Sequence, residues 1–258
     1  MYEAKNLHTL ARRYCMLRYS TLVEAYRPIA ERELRQAQYS YSEKALEIYP
    51  RYNVVAVILD SVETLDSENL PDFDVLVQIL SSMAWSAASC MTGHHTIQAA
   101  RSAEEDERTR FAEHVESALV DEASFYQPPL FYRRTLGFEE ETELLSKIES
   151  IWDTDDGYWY PLTEKPTGKA VEAFSLNGAD DADLKEQFQR FFADNSIRRL
   201  YELGEDGPGC FRSTADEAAK FECPERYLVS KDLEWIAYFS HGATVTLGGS
   251  LVGSVTLR

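Results

Sequence analysis

The sequence predicts an α+β fold, with a predominantly helical N-terminal half (residues 1–152) packed on a smaller mixed α/β C-terminal half (residues 153–258) that ends in a β-ribbon. Three observations carry this. Apolar residues recur at helical spacing through most of the first 150 positions. At Asp153 the texture changes to short period-two segments punctuated by Gly, Pro and Asn. The last thirty or so residues, 227–258, are rich in aliphatic, aromatic and β-branched side chains, which need burial. No linker rich in Gly, Ser or Pro divides the halves, so one continuous fold is also compatible with the sequence.

The helical half reads as follows. Leu7, Leu10, Tyr14 and Leu17 open a first helix, and Leu22, Val23 and Tyr26 extend it to Pro28, where the residue before a proline is pushed out of helical space. A second helix is expected over 31–48, on Leu34, Ala37, Tyr41, Ala45 and Ile48. Pro50 separates it from a third over 51–65, where Val55, Ile58, Leu59 and Val62 fit the helical period. The β-branched run 54–58 also suits a buried strand.

Pro71, with Asp72 and Asp74 behind it, suits a helix start. Residues 75–100 contain no charge at all, which raises the question of a membrane span. The second half of that stretch is Ser, Ala, Thr, Gly, His and Gln, too polar for hydrocarbon, so a central bundle helix with Leu76, Ile79, Leu80 and Met83 buried is expected. A charged helix over 96–121 has Ile97, Phe111, Val115 and Ala118 as its apolar line. Its middle, Glu104, Glu105, Asp106, Glu107 and Arg108, reads as a solvated face. The last helix of this half, 139–152, carries Leu144, Leu145, Ile148 and Trp152 on one side.

In the C-terminal half, strands are expected at 171–175, 199–203 and 210–212, the last two joined by the glycine-rich loop 203–209. Asp183 with Glu186 makes a capping box for a helix bearing Phe188, Phe191 and Phe192, and Thr214 with Glu217 makes one for a short helix. A short strand at 227–229 leads to Ser230 as the N-cap of a helix over 231–241, stopped by Gly242 and followed by two strands. The register of that ribbon stays open. Neither a bend at Gly248 and Gly249 nor one near Gly253 puts Val245, Leu247, Leu251, Val255 and Leu257 on one face.

Composition narrows the function. A hydrophobic content of 44% with 27% charged residues implies a real core. The net charge of −18 argues against nucleic acid or an anionic membrane as partner, because binding there requires phosphates to be neutralised by Lys and Arg. It favours a basic protein, whose encounter such a field speeds. Residues 1–50 depart from the trend, with eight basic and six acidic side chains, and Arg12, Arg13 and Arg18 fall close together on the first helix. Cys15, Cys90, Cys210 and Cys223 are too widely spaced for a disulfide scaffold. The first residues lack the apolar core of a signal peptide, so the expected location is cytoplasmic.

Several constellations in the sequence approach known chemistry. Asp153, Asp155 and Glu164 approach a calcium loop, with oxygen ligands on alternate positions and a glutamate at the twelfth. Gly157 comes one place early and Pro161 intrudes, so these are weak metal candidates and a plain acidic turn is the simpler reading. Cys90 with His94 and His95 would need two further zinc ligands. Glu107, Glu113 and His114 lack the Glu-x-x-His spacing of metal-carboxylate helices. His241, beside Ser240, is a weak candidate acid or base, and no Gly-x-Ser-x-Gly elbow or phosphate-binding glycine loop accompanies it. Tyr158, Trp159 and Tyr160 at a loop-to-strand transition are the expected binding anchors.

The reading that results is a non-enzymatic interaction protein of inhibitor or immunity type. It would bind a basic protein partner through an acidic, aromatic-bearing surface, without a cofactor, and a homo-oligomer is compatible with it. The alternative is a hydrolase whose site is assembled from residues distant in sequence.

Overall fold

The computed structural model describes residues 2–35, 41–90, 92, 98–118, 128–154, 159, 170–176, 181–204, 210–218, 226–240 and 243–256. It divides the chain into two compact units, Met1–Leu130 and Phe131–Arg258. Among the described residues the first unit has helices and no strand, and the second combines helices with an antiparallel sheet, an α+β arrangement.

The first unit contains α1 (Tyr2–Arg35), α2 (Glu43–Glu63), α3 (Phe73–Ser86) and α4 (Gln98–Ser117). Neither proline divides a helix as expected: Pro28 lies inside α1 and Pro50 inside α2. Each removes one backbone donor, but the long facing surface of α1 and α2 and the core on their common side outweigh that local loss. The helix expected over 31–48 is instead shared between the end of α1 and the start of α2. Ser42 caps α2 by accepting the Ala45 N–H at 3.2 Å. Residues 54–58 are helical, with Val54, Val55 and Ile58 sealed in the core beside Leu7, Leu76, Leu80 and Phe111. The uncharged stretch gives a helix of fourteen residues ending at Ser86, and no helix among the described residues is long and apolar enough to cross a membrane.

The second unit contains β1 (Arg133–Thr135), α5 (Phe138–Trp152), β2 (Val171–Ser175), α6 (Asp181–Asp194), β3 (Arg199–Gly204), β4 (Cys210–Thr214), α7 (Ala215–Ala218), β5 (Arg226–Val229), β6 (Trp235–Ser240) and β7 (Thr244–Gly249). The strands form one seven-stranded sheet in the order β1-β4-β3-β5-β6-β7-β2, every neighbouring pair antiparallel. The helix at 138–152, grouped above with the helical half, belongs to this unit.

The helix expected over 231–241 is a strand, β6. Residues 235–239 are buried on both sides: Trp235, Ala237 and Phe239 pack with α6 residues Leu184, Phe188 and Phe192, while Ile236 and Tyr238 pack with α5 residues Leu144, Ile148 and Trp152. A strand covered on both faces loses the polar alternation that normally marks it, and its aromatic and β-branched content then decides. Ser230 still holds the preceding turn, since its Oγ accepts the Trp235 N–H at 3.2 Å. The capping box also shifts. Helix α6 starts at Asp181, so Asp183 and Glu186 lie within it and pair forward with Gln187 and Arg190.

The ribbon register resolves at Gly249. There the chain turns, at φ 70°, and the Val252 and Ser254 N–H groups bond back to Gly249 and Leu251. That turn returns Leu251 and Val255 to the cluster already holding Val245 and Leu247.

Candidate functional site

The acidic run of α4 is not a solvated face. Phe111 and Val115 define the buried stripe of this helix, and stepping back along it by helical spacing reaches Arg108, Glu107 and Glu104. Glu107 has no exposed side-chain surface. It accepts Arg18 Nε and Nη2 at 2.5 and 2.9 Å and Arg51 Nη1 at 3.2 Å, while Arg51 also holds the exposed Asp106 at 2.9 Å. Glu104 accepts the hydroxyls of Ser89 and Thr92 and Arg108 Nη2 at 3.1 Å, and Arg108 donates further to the Ala87 carbonyl at 2.7 Å. Arg12 is buried on Glu63 at 2.7 Å. A buried carboxylate is tolerable when its oxygens are saturated by donors of opposite charge, and these are. Their chemistry is therefore structural: they tie α1, α2 and α4 together and present no free acid or base.

His8 sits beside this network, donating Nε2–H to the Val62 carbonyl at 3.1 Å. Burial pushes its pKa down to about 4, with the backbone bond opposing and the Arg12 charge assisting, so it is neutral at pH 7. Burial raises the Cys15 thiol well above its ordinary value, which leaves it an inert core group.

On the second unit, α5 presents a different face. Leu144, Ile148 and Trp152 are spaced by four and form its buried line. Phe138, Thr142, Leu145 and Glu149, spaced by four, three and four, form an exposed line beside it. Phe138 is 83% exposed and Leu145 41%. Both stand among Glu139, Glu140, Glu141, Glu143 and Glu149, with Lys147 as the one cation of the helix. Arg134 engages Glu140 at 2.6 Å and Lys147 engages Glu143 at 2.6 Å, while Glu141 accepts the buried Cys210 thiol at 3.2 Å. Glu139 and Glu149 remain exposed at either end of the apolar pair. This arrangement, two apolar anchors on a rigid helix ringed by carboxylates, can bind but offers no nucleophile.

Two polar cavities of about 480 and 560 Å³ flank the C-terminal end of α6. The first is lined by Asp183 and Asp194 against Arg190, the second by Arg198, Arg199 and Lys231 against Asp232 and Glu234, so each carries a single excess charge, of opposite sign.

Of the residues singled out in the sequence, Tyr158, Tyr160, Asp155, Glu164 and His241 lie outside the described residues, as do His94 and His95. Trp159 is 5% exposed and meets Trp152 edge-on, ring centroids 6.0 Å apart, so its ring serves the core rather than a surface. Asp153 is the exposed C-cap of α5, in left-handed conformation at φ 56°. Ser240 closes β6 with its hydroxyl 2.7 Å from that of Thr244, its cross-strand partner, so the helix that was to carry both Ser240 and His241 does not form. Cys90 is exposed, 3.9 Å from the Tyr49 hydroxyl. Among the described residues, no group of three or more His, Cys, Asp or Glu side chains could hold a metal ion.

Sequence reasoning missed Phe138 and placed Leu145 in the core. The signal was present. The spacing of Leu144, Ile148 and Trp152 fixes one line of the helix, and Leu145 falls off that line together with Phe138, seven residues before it. Comparison with protein-family models, curated proteins and solved structures finds no match to this chain.

Proposed function

We propose that this chain is a non-enzymatic interaction protein, of inhibitor or immunity type, that binds a basic protein partner through its acidic surface with the outer face of α5 as anchor. The observation that carries the reading is the exposed pair Phe138 and Leu145 within a glutamate-rich helix. Aromatic side chains at the centre of a contact supply most of its affinity, and charged residues around them exclude wrong partners and hasten encounter. The internal ion pairs reinforce this. Arg12, Arg18, Arg51, Arg108, Arg134 and Arg226 are each engaged by a carboxylate within the fold. Such pairs are neutral, so the excess charge of −18 falls on the remaining, mostly surface, side chains. A complementary partner presents Lys and Arg around an apolar cleft.

The test uses the full chain and its Phe138→Asp, Leu145→Ser double variant as parallel baits at low salt. The expected result is one basic protein held by the wild type, released as salt rises, with retention reduced at least thirtyfold on the variant, the size of a loss at a central anchor. Equal recovery by both baits, or no basic protein on the wild type, would remove the basis of this reading. Circular dichroism of the variant confirms that α5 remains folded.

A further inference from the structure

The basic cluster on the first helix finds only part of its purpose in the ion-pair network. Arg12 turns inward to Glu63 and Arg18 to Glu107. Arg13 does neither. Among the described residues it meets no carboxylate. Its Nη2 donates to the Pro128 backbone carbonyl at 2.8 Å, and its Nε is buried with no hydrogen-bond partner. The Nη2 bond lies at the surface, so the guanidinium charge faces solvent and stays open to an anion.

Arg13 borders a groove of about 330 Å³ between α1 and the last turn of α4. Leu10, Tyr14 and Leu17, spaced by four and three along α1, line it with apolar surface, and Leu17 is 64% exposed. The aromatic side is held in place: Tyr14 stacks on His114 with centroids 4.6 Å apart and meets Phe111 edge-on at 5.8 Å. Burial raises the Tyr14 hydroxyl to about 12 and lowers His114 from its ordinary value, so both are neutral near pH 7. Arg18 also borders the groove, with its charge already balanced by Glu107. The groove thus combines apolar walls with a positive charge, that of Arg13, which no carboxylate among the described residues balances, in a protein whose net charge otherwise repels anions. Its volume lies at the small end of ligand-binding cavities.

We infer that this groove binds an amphipathic monocarboxylate, a fatty or aryl acid whose carboxylate pairs with the Arg13 guanidinium while its apolar part covers Leu10, Tyr14 and Leu17. A rotation of the outer torsions of Arg13 brings Nε–H and Nη–H side by side onto the two carboxylate oxygens, the bidentate geometry that the planar guanidinium favours. The site is independent of the α5 face and of the partner proposed for it.

Isothermal titration calorimetry on the full chain tests this with sodium decanoate, kept below its micelle concentration, 2-naphthoate, and the neutral analogue 1-decanol. At least one acid is expected to bind saturably at one site, with decanol at least tenfold weaker than decanoate wherever decanoate binds. Arg13→Gln is expected to weaken the acid at least tenfold, and Arg101→Gln, a charge change at the exposed start of α4 away from the groove lining, to leave it unchanged. Circular dichroism confirms the fold of Arg13→Gln, and should that variant unfold, Leu17→Asp serves instead and is expected to weaken both acids. Saturable binding by neither acid, decanol binding as tightly as decanoate, or acid binding indifferent to the groove variant would each overturn the inference.

Discussion

At the scale of single residues, the helical unit is governed by charges placed inside it. Glu107 is fully enclosed yet meets two guanidinium groups, and Glu104 meets a guanidinium and two hydroxyls. Such groups specify one packing of the helices, since any shift that breaks a bond strands a charge in the core. His8 belongs to the same region and gives it a pH dependence. Its folded pKa of about 4 lies below the ordinary value of 6.5, so between those values the unfolded chain holds a proton that the folded chain does not. Stability contributed by the neutral ring is therefore complete above pH 6.5, falls as pH drops through that window, and reaches its full loss below 4. The shift corresponds to about 3 kcal/mol. Urea denaturation at pH 7 and pH 4.5 should show the wild type losing more stability than His8→Gln, which keeps a side-chain donor for the Val62 carbonyl but has no proton to take up. Parallel losses in the two proteins would mean that other groups, carboxylates first among them, account for the acid response.

At the scale of elements, the turn between β7 and the end of the chain is a tight place in the sheet unit. Gly249 has φ 70°, and a Cβ there would stand 2.0 Å from the Glu234 carbonyl oxygen. Gly253 has a similar φ of 77° with nothing within 4 Å of its missing Cβ. Both substitutions to Ala carry about 1–2 kcal/mol of left-handed strain; Gly249→Ala adds a backbone collision and is expected to cost roughly 3 kcal/mol or more. Chemical denaturation should rank Gly249→Ala well below Gly253→Ala. Equal losses would show that the strand end moves aside at little cost. The same ribbon shows why some elements were legible and others not. Strands at 171–175, 199–204 and 210–214 carry a more exposed side or edge and kept a readable pattern, whereas β6, covered by α5 and α6, reads as an unbroken apolar run over 235–239 and, set between Ser230 and Gly242, mimics a capped helix. In α4 the charges themselves misled: Glu104, Glu107 and Arg108 occupy core positions that helical spacing from Phe111 marks, but paired ions in a core are invisible until the partners on α1 and α2 are placed. The α5 face was half legible, with Leu144, Ile148 and Trp152 read as its buried line, Leu145 added to that line though it is exposed, and Phe138 overlooked. The pairing of Arg12 and Arg18 was open from the sequence; that Arg13 remains without a carboxylate among the described residues follows from geometry alone.

At the scale of the whole molecule, the packing divides cleanly. One cluster of buried residues, from Ala4 to Val115, fills the helical unit, and the two clusters on either side of the sheet draw on residues from Leu136 to Val255. No cluster among the described residues mixes side chains from both units. The ion pairs divide the same way: Arg12, Arg18, Arg51 and Arg108 find carboxylates within Met1–Leu130, and Arg134 and Arg226 find theirs within Phe131–Arg258. A segment with its own core and its own internal ion pairs has what independent folding requires. Residues 1–130 and 131–258 expressed separately are therefore expected to be folded. The first should show a helical circular dichroism spectrum with a cooperative melt, the second a mixed spectrum with dispersed amide resonances from the sheet. Each also keeps a share of the acidity, with twelve basic against twenty acidic side chains in the first and fourteen against twenty-four in the second. Moderate salt should raise the melting temperature of each fragment by screening self-repulsion. A fragment that aggregates or melts without cooperativity would instead show that its core is completed by the other half.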